Sequence, residues 1–357
     1  MDDCIALDPN SGFFQKGLAL LTKIQKIPLY AQFELTARCN FNCRMCYIRM
    51  SDKRINELGE ELSTDKWLQI AKEAKELGTL YLSLTGGEIF TRPDFKELYE
   101  ELSKMGFLIQ LMSNISMIDE DVMTWLSKCP PYNISTTMYG SNNDVYRSVC
   151  GVEHGFDRFD RALNLLQSCN IPVTIKSTLI KDNEHDVHNM YNYAVRHGKK
   201  FFSTYGISKP VRGAVSEAEL VRRMRYDFEE SVTLRNLKKK KDGHGPYIHH
   251  PNYLDDCGAY GNSINITWDG RLVLCSFLSE PSVDLCHIPL AKAWGQLLEK
   301  LEEIQKPTKC NHCKYEEYCV RCPGGLASEC GSYSTVTDEY CKTAKYLFAC
   351  YNREELQ

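Results

Sequence analysis

Between Tyr30 and Tyr205, short runs rich in β-branched and aromatic residues alternate with longer amphipathic stretches, and this rhythm leaves few folds open. The runs are AQFELT (31–36), LYLSLT (80–85), FLIQLM (107–112), YNISTTM (132–138), PVTIKSTLI (172–180) and KFFSTYG (200–206). Between them, STDKWLQIAKEAKEL offers Ser63 as a helix N-cap and stops at Gly78, and PDFKELYEELSKM places Pro93 at a helix start and Gly106 just past its end. Further helices are expected over 119–127, 157–168 and 184–197. Repeated right-handed βαβ units close into a full or partial barrel or spread into an open doubly wound sheet. Both put their chemistry at the C-terminal ends of the strands.

After about residue 210 the rhythm changes. SEAELVRRMRYDFEESVTLRNL reads as one long helix, followed by the basic, Gly/Pro/His-rich run KKKKDGHGPYIHHPNY. From Cys257 onward INITWDGRLVLC signals a hairpin turning at Asp269 and Gly270. The remainder is expected to be short and cysteine-punctuated, with bound metal as its staple. The domain expectation is therefore an N-terminal segment 1–28, a barrel 29–210, a linking helix and basic loop 211–250, and a cysteine-rich domain 251–357.

Lys and Arg number 43 against 47 Asp and Glu, a net charge of −4, so no global basic field argues for nucleic acid or an anionic membrane. No window approaches the roughly 18 consecutive apolar residues of a spanning helix, and MDDCIALDPN lacks the basic and apolar regions of a secretory signal. A cytoplasmic location is expected. In such a reducing compartment 17 cysteines are better suited to metal or chemistry than to disulfides.

Directly after the first strand, RCNFNCRMCY carries Cys39, Cys43 and Cys46 as CxxxCxxC. Three thiolates could hold three irons of a [4Fe-4S] cube and leave the fourth open; a zinc site and chance clustering of small apolar residues are the other readings. The second strand ends in Gly86, Gly87 and Glu88, which offer close backbone approach and a carboxylate, or else a plain turn. Strand three ends in Ser113 and Asn114 and strand four in Thr137, polar rim positions that are more usually caps.

CxxxCxxC after strand one, with TGGE after strand two, resembles the radical SAM enzymes over about residues 28–205. The resemblance implies an α/β fold, a partial (β/α)6 TIM-like barrel, in which Cys39, Cys43 and Cys46 hold a [4Fe-4S] cluster that binds S-adenosyl-L-methionine. It implies that Gly86, Gly87 and Glu88 receive the methionine amino group and that Ser113, Asn114 and Thr137 lie near the ribose or carboxylate. Met45 stands where the family usually has an aromatic beside adenine, with Tyr47 as the substitute. Arg147, Arg161 and Lys176 are candidate carboxylate partners, against a plain reading of the arginines as solvated helix charges.

The C-terminal cysteines, Cys257, Cys275, Cys310, Cys313, Cys319, Cys322 and Cys341, read alone as a zinc ribbon around the CxxC pairs. Together they resemble the seven-cysteine SPASM extension of radical SAM maturases, with two rather than three residues between Cys319 and Cys322. The resemblance implies a small cysteine-rich α+β SPASM domain with a β-hairpin and two auxiliary [4Fe-4S] clusters. Cys310, Cys313, Cys319 and Cys341 would hold the distal one, and Cys257, Cys275 and Cys322 the nearer one. Cys286 and Cys330 are candidates for an eighth ligand or a hydrogen donor.

These resemblances imply an oxidoreductase that cleaves S-adenosylmethionine reductively and uses the 5′-deoxyadenosyl radical to abstract hydrogen from a ribosomally made peptide, giving a thioether or C–C crosslink or another oxidation. They imply a reductant such as flavodoxin or ferredoxin and, with only about thirty residues before strand one, a separate leader-binding protein as one route to leader recognition. Lys238 to Lys241 either meet an acidic leader or form a solvated helix end. An anaerobic sulfatase maturase is the alternative, disfavoured because Ser276 stands where that group carries an Asp base; Asp269 and Glu280 are nearby but read as structural. A non-enzymatic iron–sulfur or zinc protein is the second alternative, set against a three-cysteine loop with no fourth ligand.

Overall fold

The computed structural model describes residues 12–204, 207, 209–211, 253–319 and 322–354. The linking helix and basic loop expected at 211–250, with Lys238 to Lys241, therefore lie outside the described residues except for Val211.

All six runs are strands: β1 (Tyr30–Glu34), β2 (Tyr81–Thr85), β3 (Leu108–Ser113), β4 (Asn133–Thr137), β5 (Val173–Thr178) and β6 (Lys200–Thr204). Each pairs in parallel with the next, and α1 (Gly12–Ile24), α2 (Asp52–Leu58), α3 (Thr64–Glu76), α4 (Phe95–Lys104), α5 (Glu120–Leu126), α6 (Asn143–Cys150), α7 (Gly155–Ser168) and α8 (Val187–Arg196) interleave with them. The α/β partial barrel expected from the sequence is the fold. Ser63 caps α3 by accepting from the Lys66 amide at 3.2 Å. Helix α4 starts at Phe95, two residues after Pro93, and its N-cap Asp94 makes no side-chain cap bond. That carboxylate is taken instead by Arg92 at 2.6 Å and by the Thr64 hydroxyl. Helices α1, α2 and α6 stand where no helix was expected.

Alternation along the strands separates two faces. Phe33, Leu82, Leu84, Ile109, Leu111, Ile134 and Ile175 are buried against the helices, where Phe33 stacks on the fully buried Trp67 of α3 with centroids 5.0 Å apart. On the opposite, concave face the register aligns Gln32 with Ser83, Gln110 and Asn133 in an uncharged polar row.

The hairpin predicted beyond Cys257 is present as β7 (Ser263–Ile266) and β8 (Arg271–Val273), and β9 (Ser282–Asp284) adds a further strand. Strand β7 pairs in parallel with β1, so among the described residues one nine-stranded sheet runs β6-β5-β4-β3-β2-β1-β7-β8-β9. Asn265 thereby extends the polar row beside Gln32. The C-terminal part also holds more regular structure than short cysteine-punctuated segments: α9 (Leu290–Glu302), α10 (Pro323–Cys330) and α11 (Asp338–Glu354). Helix α9 buries Leu290, Ala293, Trp294, Leu297 and Leu301, a helical apolar stripe that stabilises by burial without metal. No helix among the described residues is long and apolar enough to cross a membrane.

Candidate active site

The cysteine loop leaves β1 at the C-terminal rim and is stitched to the end of β2. Leu35 N–H donates to Thr85 O at 2.7 Å, Gly87 N–H to Thr36 O at 2.8 Å, and Glu88 N–H to Arg38 O at 2.8 Å. This close pairing explains the two glycines. A Cβ on Gly86 would stand 2.4 Å from Thr36 O, and one on Gly87 2.1 Å from Arg38 O. The close backbone approach expected here is made by the chain's own residues 36–38.

Glu88 is fully buried and ties β2 to β3. Its Oε1 accepts from Ser113 Oγ at 2.8 Å and its Oε2 from Asn114 N at 2.8 Å. Asn114 Nδ2 then donates to Asn40 Oδ1 at 2.9 Å, one residue after Cys39, and Asn40 Nδ2 donates to Ser116 Oγ at 2.9 Å. The structure thus brings Glu88, Ser113 and Asn114 together and adds Asn40, a loop residue that the motif does not mark.

Burial pushes the Glu88 carboxyl up to about 7 against the pull of four hydrogen-bond donors, the Asn114, Phe90 and Ile89 amides and the Ser113 hydroxyl. A folded-state value above the ordinary 4.5 means that the folded chain binds more protons between these values than the unfolded chain. The stabilisation is complete below pH 4.5 and is lost as pH rises through about 7, by roughly 3 kcal/mol at 1.36 kcal/mol per unit. Denaturant titrations at pH 5 and pH 8 should show this fall in the wild type, and Glu88→Gln should flatten it.

Cys39, Cys43 and Cys46 gather above this rim. Cys39 is exposed as a residue, yet burial of its thiol together with Glu88, Cys43 and Cys46 pushes it up to about 12; burial and Cys43 do the same for Cys46. Cys43 is shifted the other way, first by a hydrogen bond from Cys150 and also by one from Tyr139. Tyr47 packs against Phe277 with ring centroids 5.2 Å apart, and Gln32 Nε2 donates to Ser276 Oγ at 2.6 Å. The segment after Cys275 therefore reaches the barrel interior. Thr137 ends β4 opposite Lys176, whose ammonium burial pulls down. Arg147 pairs with Asp144 and Glu153, and Arg161 with Glu120, on exposed helix surface.

Two more cysteine sets form in the C-terminal part. Cys310, Cys313, Cys319 and Cys341 line one small apolar cavity with Tyr315 and Tyr340. Burial, with Cys257 and Cys322 close by, pushes Cys275 up to about 11, and burial with Cys322 nearby raises Cys257 as well. A Cβ on Gly324 would stand 3.1 Å from Cys275 Sγ, and Cys322 Sγ accepts from Gly325 N at 3.3 Å. Cys286 sits apart beside Asp284, and Cys330 lies 3.6 Å from Thr337 Oγ1. Among the described residues no three His, Cys, Asp or Glu side chains are placed to hold one metal ion.

Residues 33–194 match the radical SAM superfamily. The chain carries a radical SAM domain. The radical SAM family uses a [4Fe-4S] cluster and S-adenosylmethionine, and the chain is an enzyme of that type. Over 336 residues it is 23% identical to the AdoMet-dependent heme synthase of Methanosarcina barkeri, covering 86% of this chain and 94% of that protein. It is 24% identical over 310 residues to AlbA, an antilisterial bacteriocin subtilosin biosynthesis protein of Bacillus subtilis, covering 83% and 67%. Streptococcus suis SuiB bound to S-adenosylmethionine shares the fold around this radical SAM domain, with a TM-score of 0.69 and 16% identity over 92% of this chain and 81% of SuiB.

Proposed function

We propose that the protein is a radical SAM maturase of a ribosomally made peptide, in which Cys39, Cys43 and Cys46 hold the S-adenosylmethionine-binding cluster. The observation that carries the cluster assignment is the rim itself. Three thiols converge beside the Glu88–Ser113–Asn114–Asn40 network, and two of them resist ionisation, a donor set that a cationic iron–sulfur group would complete. When bound, the cluster and S-adenosylmethionine supply one-electron reduction and hydrogen-atom abstraction. Gly86, Gly87, Glu88, Ser113, Asn114, Thr137 and Tyr47 frame the cofactor's place. Glu88 acts by holding the Asn114 backbone and the Ser113 hydroxyl, and Gly86 and Gly87 by letting the cysteine loop close on β2.

The same reasoning assigns two auxiliary iron–sulfur clusters in a SPASM domain, one on Cys310, Cys313, Cys319 and Cys341 and one on Cys257, Cys275 and Cys322, matching the two sets that form. Segment 1–28, barrel 29–210, linker 211–250 and SPASM domain 251–357 are the proposed units. Flavodoxin or ferredoxin serves as reductant, and a separate protein presents the leader. AlbA's role in subtilosin biosynthesis supports a peptide substrate. So does the uncharged row Gln32, Gln110, Asn133 and Asn265, whose amides match peptide groups. Ser276 turns a hydroxyl toward Gln32 where a formylglycine-forming site would need a carboxylate base.

The heme synthase, whose length the chain covers to 94%, supports a tetrapyrrole as the second reading. Anaerobic iron loading should give about twelve irons per chain, and dithionite should release 5′-deoxyadenosine. Mass spectrometry of a peptide encoded beside the gene should then show a loss of about 2 Da. Conversion of a tetrapyrrole with no change in the peptide would select the other reading.

A further inference from the structure

Thr36, Ala37 and Arg38 lead from β1 to Cys39, and the seam to β2 takes up only the carbonyls of Thr36 and Arg38. Their remaining groups are held from another side. The Arg38 amide donates to Thr36 Oγ1 at 2.9 Å, and that hydroxyl donates to Glu61 Oε1 at 2.5 Å. The Arg38 guanidinium donates to Asp52 at 2.7 Å and to Asn56 at 2.8 Å, with Glu61 3.8 Å from its Nε. Glu61 Oε2 stands 3.9 Å from Nη1 of the buried Arg92, which donates to Leu35 O at 2.7 Å and to Leu62 O at 3.2 Å.

A third hold comes from the C-terminal part of the chain. Trp268 stands in the turn between β7 and β8, is buried, and forms a small apolar cluster with Ala37 and Ile55, against which Met50 packs. Its carbonyl accepts from Leu62 N–H at 3.0 Å, so Leu62 joins the hairpin turn to Arg92 while its neighbour Glu61 holds Thr36. Turns favour small polar residues, so a tryptophan buried at one is kept there by a tertiary contact. Here that contact includes the residue two before Cys39. The turn itself is closed by Gly270 N–H to Thr267 O at 2.9 Å and Thr267 N–H to Arg271 O at 3.0 Å. Neither Glu61 nor Trp268 belongs to a cysteine motif or to the cofactor frame above.

We propose that Glu61 and Trp268 are positioning residues that fix residues 36–38 and thereby set how Cys39 presents the S-adenosylmethionine-binding cluster. The inference rests on the assignment of Cys39 as a cluster ligand. With two carbonyls tied to β2, the Thr36 hydroxyl tied to Glu61 and Ala37 under Trp268, the segment before Cys39 has one setting. Removing Glu61 or Trp268 leaves the seam to β2 in place, so the loop stays attached while its angle is freed. Reactive geometry is more sensitive to such a shift than stability is. The hairpin is thus part of the mount of the rim, whatever the C-terminal cysteines hold.

The full-length chain is loaded with iron anaerobically, reduced with dithionite, and titrated with S-adenosylmethionine while the paramagnetic resonance signal that responds to it is followed. Trp268→Ala and Glu61→Ala should each raise the concentration that gives half of the signal change about tenfold, with total iron kept. Trp268→Phe, which keeps an aromatic ring against Ala37, and Glu61→Gln, which keeps an acceptor for the Thr36 hydroxyl, should recover most of the loss. If Trp268→Ala does not fold, Trp268→Leu takes its place, with an apolar side chain but no ring. A lowered denaturation midpoint with an unchanged half-saturation in the folded Trp268 and Glu61→Ala variants would overturn the proposal and leave the cluster assignment standing. A wild-type chain with no responsive signal would overturn both.

Discussion

Gly87→Ala should destabilise the chain by about 3–5 kcal/mol, the sum of two broken backbone hydrogen bonds and an overpacked contact that cannot relax by rotamer change. The methyl would meet Arg38 O at 2.1 Å and Arg38 C at 2.6 Å, both backbone atoms. Relief requires the cysteine loop to lift from β2, which breaks Gly87 N–H to Thr36 O and Glu88 N–H to Arg38 O. The same movement withdraws Cys39 from Glu88 and Asn40 from Asn114, so iron retention should fall along with the denaturation midpoint. Gly295→Ala is the control. It sits within α9 with nothing within 4 Å of the added methyl, and should be neutral or stabilising by about 1 kcal/mol. A Gly87→Ala chain with wild-type stability and iron content would refute the account of the seam.

The second large effect is a partition of function between the cysteine sets. Alanine at Cys39, Cys43 or Cys46 should reduce S-adenosylmethionine cleavage to background, because the rim then lacks a ligand, while the C-terminal sets keep their iron. Alanine at both Cys310 and Cys313, on the wall of the C-terminal cavity, should remove about four irons per chain. Release of 5′-deoxyadenosine should survive, and modified substrate should be lost. Iron assay and product analysis on the same preparations check both halves. Loss of cleavage in the Cys310, Cys313 pair alone, with the rim iron intact, would contradict the division.

The barrel was legible because its strands obey a simple rule: alternate residues such as Phe33, Leu82 and Leu111 face helices, and each strand is bounded by Gly, Pro or polar residues. Helix α6 escaped notice because eight residues give little periodicity, although Asn142 at its start and Gly151 at its end are ordinary caps. Helix α9 was overlooked in a stretch read by its cysteines, although its stripe of Leu290, Ala293, Leu297 and Leu301 is regular. The motifs located Glu88 and the three cysteines. Asn40 joins the rim network only because folding brings separate segments together, and its type carries no signal alone. Two adjacent glycines at a strand end suit either a ligand's close approach or a plain turn, and it is Arg38 and Thr36 that pack against them, a fact of tertiary contact that local sequence does not encode.

The parallel pairing of β7 with β1 has a temporal consequence. Gln32 and Ser276, joined across that region, are 244 positions apart in the chain. A strand emerging early from the ribosome must therefore wait for a neighbour made more than two hundred residues later, with one ladder of amides and carbonyls open meanwhile. Contacts of such separation fold late. The cysteine loop at the end of β1 thus reaches its final setting only after β7 has left the ribosome, and iron delivered earlier would meet an unfinished rim.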